Sequence, residues 1–373
     1  MNKEILIIAG EVSGDMHGAA LVQAISKSDS QIRFSGIGGD EMVRGGVKLL
    51  YHSSQMSFLG MVEVLKHLPF ISRVKKEMIS HVRREKIKLA ILIDYPGFNL
   101  SLAKALREDG VKIIYYISPQ IWAWGKGRIK KIKKLVDKML VILPFEEKLY
   151  KDNGVDCEYV GHPLVGRIKS YTFISKEEIY RKNGLDSGKE ILLVQPGSRK
   201  QEVKEMYPVI LEGAKRLADE LGFQIIVNCS PGIEEDIFGV LSDGVKPAII
   251  KGFTYELMKY AKLGIIKSGT STLEAGLLGL PMVIVYKSNY LTYLIGRSLV
   301  KLKNIGLINI VLGKTVVPEL IQGDLTSDNI YAKGKAVINK RKIIEKELSE
   351  VNKILGEIPA SENAAKIVMA YLK

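Results

Sequence analysis

The chain has 373 residues, of which 46% are hydrophobic and 26% charged, and this composition excludes extensive disorder. Its length exceeds the size at which one hydrophobic core keeps growing, so two domains are expected. The 55 Lys and Arg against 41 Asp and Glu leave a net charge of +14, which indicates an anionic partner: nucleic acid, membrane lipid or a phosphorylated substrate.

The cysteines and the apolar segments limit the cellular setting. Cys157 and Cys229 lack metal-ligand spacing, which favours a reducing location without structural disulfides or a zinc site. The first apolar stretch is too short for a signal-peptide core and is ended by Glu11, so export is not expected. No window reaches the roughly 18 apolar residues of a transmembrane helix. Any membrane contact is therefore expected to be peripheral.

Short apolar runs, each followed by a loop and a helical pattern, recur in both halves of the chain. They are ILIIAG, RFSGIG, LAILID, KIIYYIS, KMLVIL and CEYVG, then EILLVQPGS, FQIIVNCS, AIIKG, LGIIKSGT and PMVIVY. This alternation predicts two successive α/β units with parallel sheets. The pattern pauses between Gly161 and Ile191, and helical text follows Tyr331. The expected domains are residues 1–168 and 169–345, with closing helices at 346–373.

The first run leads into GEVSGDMHG, a tight loop that opens onto a helix. Its residues Gly10, Ser13, Gly14 and Asp15 let a ligand approach the backbone at a helix N-terminus, which favours anions. The alternative is a Ser or Asp helix cap with no ligand. Neither a G-x-G-x-x-G nor a GxxxxGK[ST] sequence occurs, which disfavours dehydrogenases and P-loop enzymes.

Residues 58–71, FLGMVEVLKHLPFI, predict a helix with one apolar face. From Arg73 to Lys88, seven Lys or Arg then oppose only two Glu, which suits attraction to anionic headgroups. The alternative is a core helix beside a solvated one. The predicted membrane face consists of Phe58, Met61, Val62, Leu65 and Leu68, extended past Pro69 by Phe70 and Ile71.

Asp94 follows the run LAILI and precedes a YPGFN turn. Open α/β sheets bind ligands at the carboxyl ends of their strands, where a carboxylate can act as a general base towards a hydroxyl. Capping of the next helix is the alternative reading of Asp94.

The segment SPQIWAWGKGRIKKIKK contains Trp122 and Trp124, with six cations from Lys126 to Lys134. Aromatic and basic side chains together suit a phosphorylated or nucleic-acid ligand. The helical spacing of the isoleucines also fits a solvated face for the later lysines.

Two loops in the second half are typical of phosphate binding. In QPGSRKQEV, Gly197, Ser198 and Arg199 directly follow a strand, and an arginine there can hold a phosphate with two hydrogen bonds.

In KSGTSTLE, backbone N–H groups and hydroxyls at a helix N-terminus can hold a pyrophosphate, and a carboxylate can accept hydrogen bonds from a ribose. A capping pair of Ser271 and Glu274 is the structural alternative. The candidate nucleotide ligands of this loop are Ser268, Gly269, Thr270 and Glu274.

Taken in order, the motifs GEVSGD, GIGGDEM, FLGMVEVL, DYPGFN, SPQIWAW, ILPFE, GHPL, PGSR, SGTSTLE and NIVLGKTVVPELIQ resemble the lipid-A-disaccharide synthases along nearly the whole chain. The resemblance implies the glycosyltransferase-B architecture: two facing Rossmann-like domains, with C-terminal closing helices. It also implies an inverting transfer in which UDP-2,3-diacylglucosamine and 2,3-diacylglucosamine 1-phosphate give a β-1,6-linked disaccharide 1-phosphate and UDP.

The same resemblance assigns roles to matching residues. Asp94 is the candidate base for the acceptor 6-hydroxyl, and Glu11 is the second candidate catalytic residue. Arg199 and Glu274 are implied to bind the diphosphate and the ribose. Gly97 departs from an acidic residue that some members have at this turn, which shifts the weight of catalysis to Asp94. The implied substrate-binding residues are Ser13, Gly14, Asp15, Trp122 and Asn309.

The resemblance further implies no metal and no cofactor, because helix N-termini and cations neutralise the leaving diphosphate. It places the protein in the cytoplasm of a Gram-negative cell, on the anionic cytoplasmic face of the inner membrane, and is compatible with a homodimer. A UDP-N-acetylglucosamine 2-epimerase or a peptidoglycan-precursor glycosyltransferase would share the nucleotide loops, but not FLGMVEVL and SPQIWAW. A nucleic-acid partner is not expected, because the sequence has no recognised nucleic-acid-binding signature.

Overall fold

The computed structural model describes residues 3–56, 67–119, 127–242, 245–288 and 303–372. The chain divides into two compact units, the first formed by Met1–Gly166 with Glu357–Lys373 and the second by Arg167–Gly356. Each unit contains one sheet of parallel strands, accompanied by helices. The predicted α/β fold is therefore confirmed.

The first unit is built on a seven-stranded parallel sheet. Its strands are β1 (Glu4–Ala9), β2 (Arg33–Gly38), β3 (Lys48–His52), β4 (Leu89–Ile93), β5 (Lys112–Tyr116), β6 (Lys138–Val141) and β7 (Cys157–Tyr159). They lie in the order β3-β2-β1-β4-β5-β6-β7. Leu6 and Ile8 of β1 belong to one buried cluster, whereas Ile5 and Ile7 belong to another. Because successive side chains point to opposite faces, both faces of the sheet are buried, which explains the continuous apolar runs.

Helices supply the layers on the two faces. On the helix Leu68–Glu85, the buried residues Val74, Met78 and Val82 recur every four residues and join the cluster of Leu6. In chain order, the described helices from residue 3 to residue 170 are α1 (Val12–Ser28), α2 (Asp40–Arg44), α3 (Leu68–Glu85), α4 (Pro96–Glu108), α5 (Gly127–Leu135), α6 (Pro144–Asp152) and α7 (Pro163–Ser170), with a 3-10 turn at Ser53–Gln55.

The second unit repeats this arrangement with six parallel strands. These are β8 (Ile191–Gln195), β9 (Gln224–Cys229), β10 (Ala248–Lys251), β11 (Leu263–Lys267), β12 (Met282–Tyr286) and β13 (Glu319–Ile321), and they lie in the order β10-β9-β8-β11-β12-β13. The helices are α8 (Lys176–Lys182), α9 (Lys200–Leu221), α10 (Asp236–Leu241), α11 (Thr254–Tyr260), α12 (Thr270–Leu277), α13 (Leu307–Leu312), α14 (Ser327–Asn339) and α15 (Arg341–Leu355), with a 3-10 turn at Gln322–Asp324.

The chain returns to the first unit at its C-terminal end. Helix α15 packs in the second unit, against α12 and α13. The last helix, α16 (Ala360–Ala370), packs against α1 in the first unit. Ala364, Ala365 and Val368 of α16 belong to the same buried cluster as Leu21 and Val22 of α1. Residues distant in sequence therefore complete one face of the first sheet.

Two strands that the apolar runs do not predict lie at sheet edges. Strand β3 is half-buried along most of its length, and β13 has only three residues. An edge strand pairs on one side only and needs no continuous apolar run, which is why the sequence pattern did not indicate either strand. No helix within the described residues combines the length and apolar character needed to cross a membrane.

Gly161 allows the close approach of the returning chain. Its φ of +100° is a conformation that other residues rarely adopt. A Cβ placed on Gly161 would also lie 2.4 Å from the carbonyl oxygen of Ile358, which precedes α16. Gly110 provides a contrast, because its φ is +73° but nothing lies within 4 Å of an added Cβ.

We therefore expect Gly161→Ala to destabilise the protein by about 2–4 kcal/mol, since backbone strain and a clash with backbone add together. The matched variant Gly110→Ala should cost only about 1 kcal/mol, from strain alone. Thermal unfolding of the two variants measured by calorimetry under one condition tests this. Equal losses for G161A and G110A would contradict the proposed packing role.

Candidate functional site

The first candidate site lies at the carboxyl ends of β1 and β4. These strands are neighbours in the sheet, but β1 continues to β2 on one side and β4 continues to β5 on the other. The loops that leave β1 and β4 therefore diverge and create a crevice, where open α/β sheets bind their ligands. The GEVSGD loop follows β1, and Asp94 follows β4. The structure thus brings both predicted motifs to one edge of the sheet.

Asp94 and the next residue have an unusual backbone conformation. Their φ values are +43° and +47°, so two successive non-glycine residues are left-handed. The carbonyl oxygen of Asp94 accepts hydrogen bonds from Nδ2 of Asn99 at 2.7 Å and from the hydroxyl of Tyr115 at 2.5 Å. Asn99 also donates to the carbonyl of Ile93. Strain of this kind persists only where surrounding contacts fix it, and it concentrates at functional sites.

The environment of the Asp94 carboxyl makes it a stronger base than an ordinary aspartate. Burial, and next the negative charge of Glu11, raise its pKa to about 6, while a backbone hydrogen bond at Tyr95 opposes the shift. Glu11 itself is exposed. Tyr95 is the N-cap residue of helix α4, so Asp94 does not occupy the cap position that the alternative interpretation requires.

The ring of Tyr95 packs against the backbone of the loop that follows β1. Its ring occupies the space beside Gly10, where an added Cβ would lie 2.5 Å from the ring carbons. Its hydroxyl donates to the carbonyl of Met56 at 2.9 Å. Gly10 is therefore needed because the Tyr95 ring passes directly over its backbone.

The Asp15 carboxylate is bonded to the backbone of a neighbouring segment, which gives it a structural role. Its carboxylate accepts hydrogen bonds from the backbone N–H groups of Gly39 at 2.7 Å, Glu41 at 3.0 Å and Met42 at 3.0 Å. Asp15 is buried and in this way caps α2, which links the GEVSGD and GIGGDEM motifs. This agrees with the alternative interpretation of an Asp helix cap, although the helix that Asp15 caps is α2 and not α1, which has no side-chain cap.

The other predicted residues of the first unit have different outcomes. Ser13 is exposed at the start of α1, whereas Gly14 is buried there. Leu68 is the first residue of α3 and is 49% exposed. Phe70 and Ile71 are half-buried, with part of each side chain packed against the core, and their place on an exposed apolar face stays a prediction. Outside the described residues lie Phe58, Met61, Val62, Leu65 and Trp122.

The second candidate site lies at the carboxyl ends of β8 and β11, the corresponding crevice of the second unit. The loops after these strands are joined by a hydrogen bond from Nε2 of Gln195 to Oγ of Ser271. The two loops carry the left-handed glycines Gly197 and Gly269, with φ values of +137° and +157°. The predicted phosphate loops are therefore adjacent in space.

Exposed groups line this edge. Ser198, Gly269 and Thr270 are exposed, and the side chain of Arg199 is 62% exposed. The hydroxyl of Ser268 instead donates to the carbonyl of Ile305, which makes its role structural. Sequence patterns missed two charged residues at this edge, Lys267 at the end of β11 and Glu202 in the first turn of α9.

Glu274 is half-buried on α12. It accepts a hydrogen bond from the hydroxyl of Tyr255 at 3.1 Å. Burial raises the pKa of its carboxyl, while the Tyr255 hydroxyl and the charge of Arg167 lower it. The capping interpretation is wrong, because α12 has no side-chain cap and Ser271 bonds to Gln195.

Asn309 is completely buried, and its amide is fully used within the unit. Its Nδ2 donates to the carbonyl of Val317 and to Oε1 of Glu319, both at 2.8 Å. Its Oδ1 accepts from the N–H groups of Val316 and Val317. A direct contact with a sugar would need some of these bonds to break, so this geometry supports a structural role. In the described part of the chain, no group of three His, Cys, Asp or Glu could hold a metal ion.

Comparison with known proteins complements this geometry. A sequence model of a family described as lipid-A-disaccharide synthetase matches residues 5–370. A lipid-A-disaccharide synthase of Syntrophus aciditrophicus is 42% identical over 381 residues, covering 100% of this chain and 98% of that protein. The corresponding protein of Geobacter sulfurreducens is 41% identical, covering 99% of this chain and 97% of that protein.

Solved structures with the same fold are more distant in sequence. A UDP-N-acetylglucosamine 2-epimerase from Neisseria meningitidis, bound to UDP-GlcNAc, has a TM-score of 0.66 and 12% identity, with 99% of this chain and 99% of that chain covered. The calicheamicin glycosyltransferase has a TM-score of 0.62 and 12% identity, with 100% and 98% covered. These similarities concern the fold alone.

The raised pKa of Asp94 has a consequence for stability. The folded state binds this proton more tightly than the unfolded chain does, so the contribution is intact below about pH 4 and is lost as the pH rises through about 6. Asp94→Asn removes this loss, and Asn tolerates the left-handed backbone. We expect D94N to be more stable than the wild type by about 2 kcal/mol at pH 7.5, but by much less at pH 4.5.

Denaturant unfolding at both pH values measures this difference. Glu11→Gln provides the paired variant, because it removes the nearby charge and should move the transition to lower pH. If D94N changes the free energy of unfolding by the same amount at pH 4.5 and at pH 7.5, the pKa of the Asp94 carboxyl is not raised.

Proposed function

Because this chain belongs to the lipid-A-disaccharide synthetase family, we propose that it joins UDP-2,3-diacylglucosamine to 2,3-diacylglucosamine 1-phosphate through a β-1,6 linkage. The reaction is an inverting glycosyl transfer that releases UDP. The epimerase of Neisseria meningitidis shares the fold at only 12% identity, whereas the lipid-A-disaccharide synthase of Syntrophus aciditrophicus is 42% identical along the whole chain, which favours the transferase.

In the proposed mechanism Asp94 is the general base, and its position and raised pKa are the observations that support this role. The acceptor 6-hydroxyl attacks C1 of the donor sugar, the bond from C1 to the UDP oxygen breaks, and the hydroxyl proton passes to the Asp94 carboxylate. A pKa near 6 leaves this carboxylate mostly ionised at pH 7.5, yet more basic than an ordinary aspartate. Glu11 assists by keeping the pKa of Asp94 raised. The fixed backbone at Asp94 holds the base in one place while substrates bind.

The second unit supplies the groups suited to the UDP half of the donor. Arg199 and the helix N-termini at the start of α9 and α12, where Lys200 and Thr270 are exposed, offer positive potential for a diphosphate. Glu274 is the proposed acceptor for ribose hydroxyls. Helix N-termini and cations then stabilise the leaving group, and the mechanism needs no metal or cofactor.

Two substitutions should separate chemistry from donor binding. Asp94→Asn removes the proton acceptor, so turnover should fall about 100-fold or more while UDP affinity is retained. Arg199→Ala removes a charged phosphate contact, so UDP should bind about 10-fold more weakly. UDP release from the two acylated glucosamine substrates and calorimetric titration with UDP measure the two effects.

Arg181→Ala is a matched control, since Arg181 is an exposed arginine on α8 of the same unit. It should change neither measurement. Near-wild-type turnover of D94N would exclude Asp94 as the base, and unchanged UDP affinity in R199A would move the nucleotide site elsewhere.

We also propose that residues 58–68 contact the cytoplasmic face of the inner membrane, where both acylated substrates lie. Leu68 at the end of this segment is exposed, and the exposed cations Arg73 and Lys76 follow it on α3. Apolar insertion and attraction to anionic headgroups would act together. Arg83 contributes less, because both of its bonds go to Asp109.

Changing Met61, Val62, Leu65 and Leu68 together to Ser should release the protein from vesicles that contain anionic lipid and slow turnover on bilayer-presented substrate. UDP affinity should not change, because the nucleotide loops lie in the second unit. Sedimentation with vesicles measures binding, and Val240→Ser on α10, an exposed apolar residue of the second unit, is the control. An unfolded variant, or one that sediments as the wild type does, would mean that these side chains belong to the core.

A further inference from the structure

The carboxylate of Glu202 lies within the proposed diphosphate loop. Its Oε2 accepts a hydrogen bond from the backbone N–H of Ser198 at 3.2 Å. Its Oε1 lies 2.9 Å from Nζ of Lys267 and 3.6 Å from NH1 of Arg199. One carboxylate therefore contacts a loop N–H group and two cations, which are the kinds of group that bind a phosphate.

Burial and glycine geometry support a defined position for this carboxylate. The Glu202 side chain is 15% exposed and that of Lys267 is 20% exposed, so water screens this pair only partly. A Cβ on Gly197 would lie 2.6 Å from Oε2 of Glu202, so the carboxylate folds directly over the glycine. A side chain larger than glycine at position 197 would displace it.

Lys267 connects the two loops of this edge. It is the last residue of β11 and directly precedes the loop that contains Gly269, whereas Glu202 belongs to the helix that follows the Gly197 loop. The Glu202 carboxylate thus joins the ammonium of Lys267 to the N–H group of Ser198 in the Gly197 loop. Its ammonium also lies 5.7 Å from the ring centre of Tyr286.

A purely structural reading accounts for only part of this arrangement. Glu202 is the third residue of α9, where an acid stabilises the helix N-terminus and can reach back to an earlier N–H group. That reading explains the contact with Ser198. It does not explain the closer contact with Lys267, because Lys267 lies at the end of strand β11 and not on α9.

We propose that Glu202 is an internal anion whose carboxylate occupies the position of a donor phosphate in the second unit, and that Lys267 is a further residue that binds the donor diphosphate. This inference rests on the proposed function, since it needs a nucleoside diphosphate at this edge. When the diphosphate binds, a phosphate replaces the carboxylate at Ser198, Arg199 and Lys267, and Glu202 turns outwards. The Glu202 carboxylate keeps Arg199 and Lys267 in place. It also competes with the donor diphosphate for these cations, so it lowers the affinity of the second unit for the donor.

Glu202→Gln tests the competition, because it keeps the size of the side chain and removes its charge. We expect E202Q to bind UDP about 3- to 10-fold more tightly in calorimetric titrations at constant ionic strength, and Lys267→Met to bind it about 10-fold more weakly. Uridine, which lacks phosphate, should bind both variants as it binds the wild type. Glu205→Gln is the matched control, because it makes the same charge change on the same helix, where Glu205 bonds to Gln201.

If E202Q binds UDP only as tightly as E205Q does, or more weakly than the wild type, then Glu202 does not act as an internal anion. Unchanged UDP affinity in K267M would overturn the role of Lys267. Should E202Q fail to fold, Glu202→Asp retains an acid in the first turn but shortens its reach, and it too should bind UDP more tightly. If R199A weakens UDP binding while E202Q does not strengthen it, only this inference fails. Absence of UDP binding by the wild type would overturn the proposed function itself.

Discussion

The left-handed backbone at Asp94 and Tyr95 is the constraint on which the first candidate site depends. A chain that continued β4 in an extended conformation would carry the carboxylate past the sheet edge. The reversal instead turns directly into α4, and Asn99 and Tyr115 hold the carbonyl oxygen of Asp94 so that the strain persists. Gly10 leaves room for the Tyr95 ring, which couples the loop after β1 to the loop after β4.

Carboxylates at the edges of the two sheets serve two different purposes. Asp15 in the first unit accepts hydrogen bonds from three backbone N–H groups at the start of α2 and the loop before it. Glu319 in the second unit accepts bonds from the N–H groups of Ile305 and Gly306 and from Asn309. These acids hold loops in shape. Asp94 has no comparable set of donors, and burial near Glu11 leaves its carboxyl with a raised pKa. Where the first kind of acid fixes the loops, Asp94 can be held in place with a single backbone hydrogen bond, at Tyr95.

The sequence predicted the sheets well, because a strand that is buried on both faces must be apolar at every position. Edge strands such as β3 escape this rule. Loop residues were harder to assign, since Asp15 and Asp94 both occur in glycine-containing motifs after apolar strands and only the structure shows which one binds backbone N–H groups. The pair of Glu202 and Lys267 left no local signal, because its members are far apart in sequence and meet only through the order of the strands. Asn309 was implied by resemblance, and a buried amide gives no sequence pattern that reveals its partners.

The discontinuous first unit also has a consequence for biosynthesis. Helix α16 completes the buried cluster beside α1, yet it lies after the entire second unit in the chain. On the ribosome, Leu21 and Val22 of α1 therefore emerge long before Ala364 and Val368, their distant partners in the same cluster. The second unit is contiguous and has all its residues available as soon as it leaves the exit tunnel. The nascent first unit must retain an incomplete apolar surface through the synthesis of about two hundred further residues, at about 5–20 residues per second. Translation speed and nascent-chain chaperones thus bear on the amino-terminal half of this protein more than on the half made later.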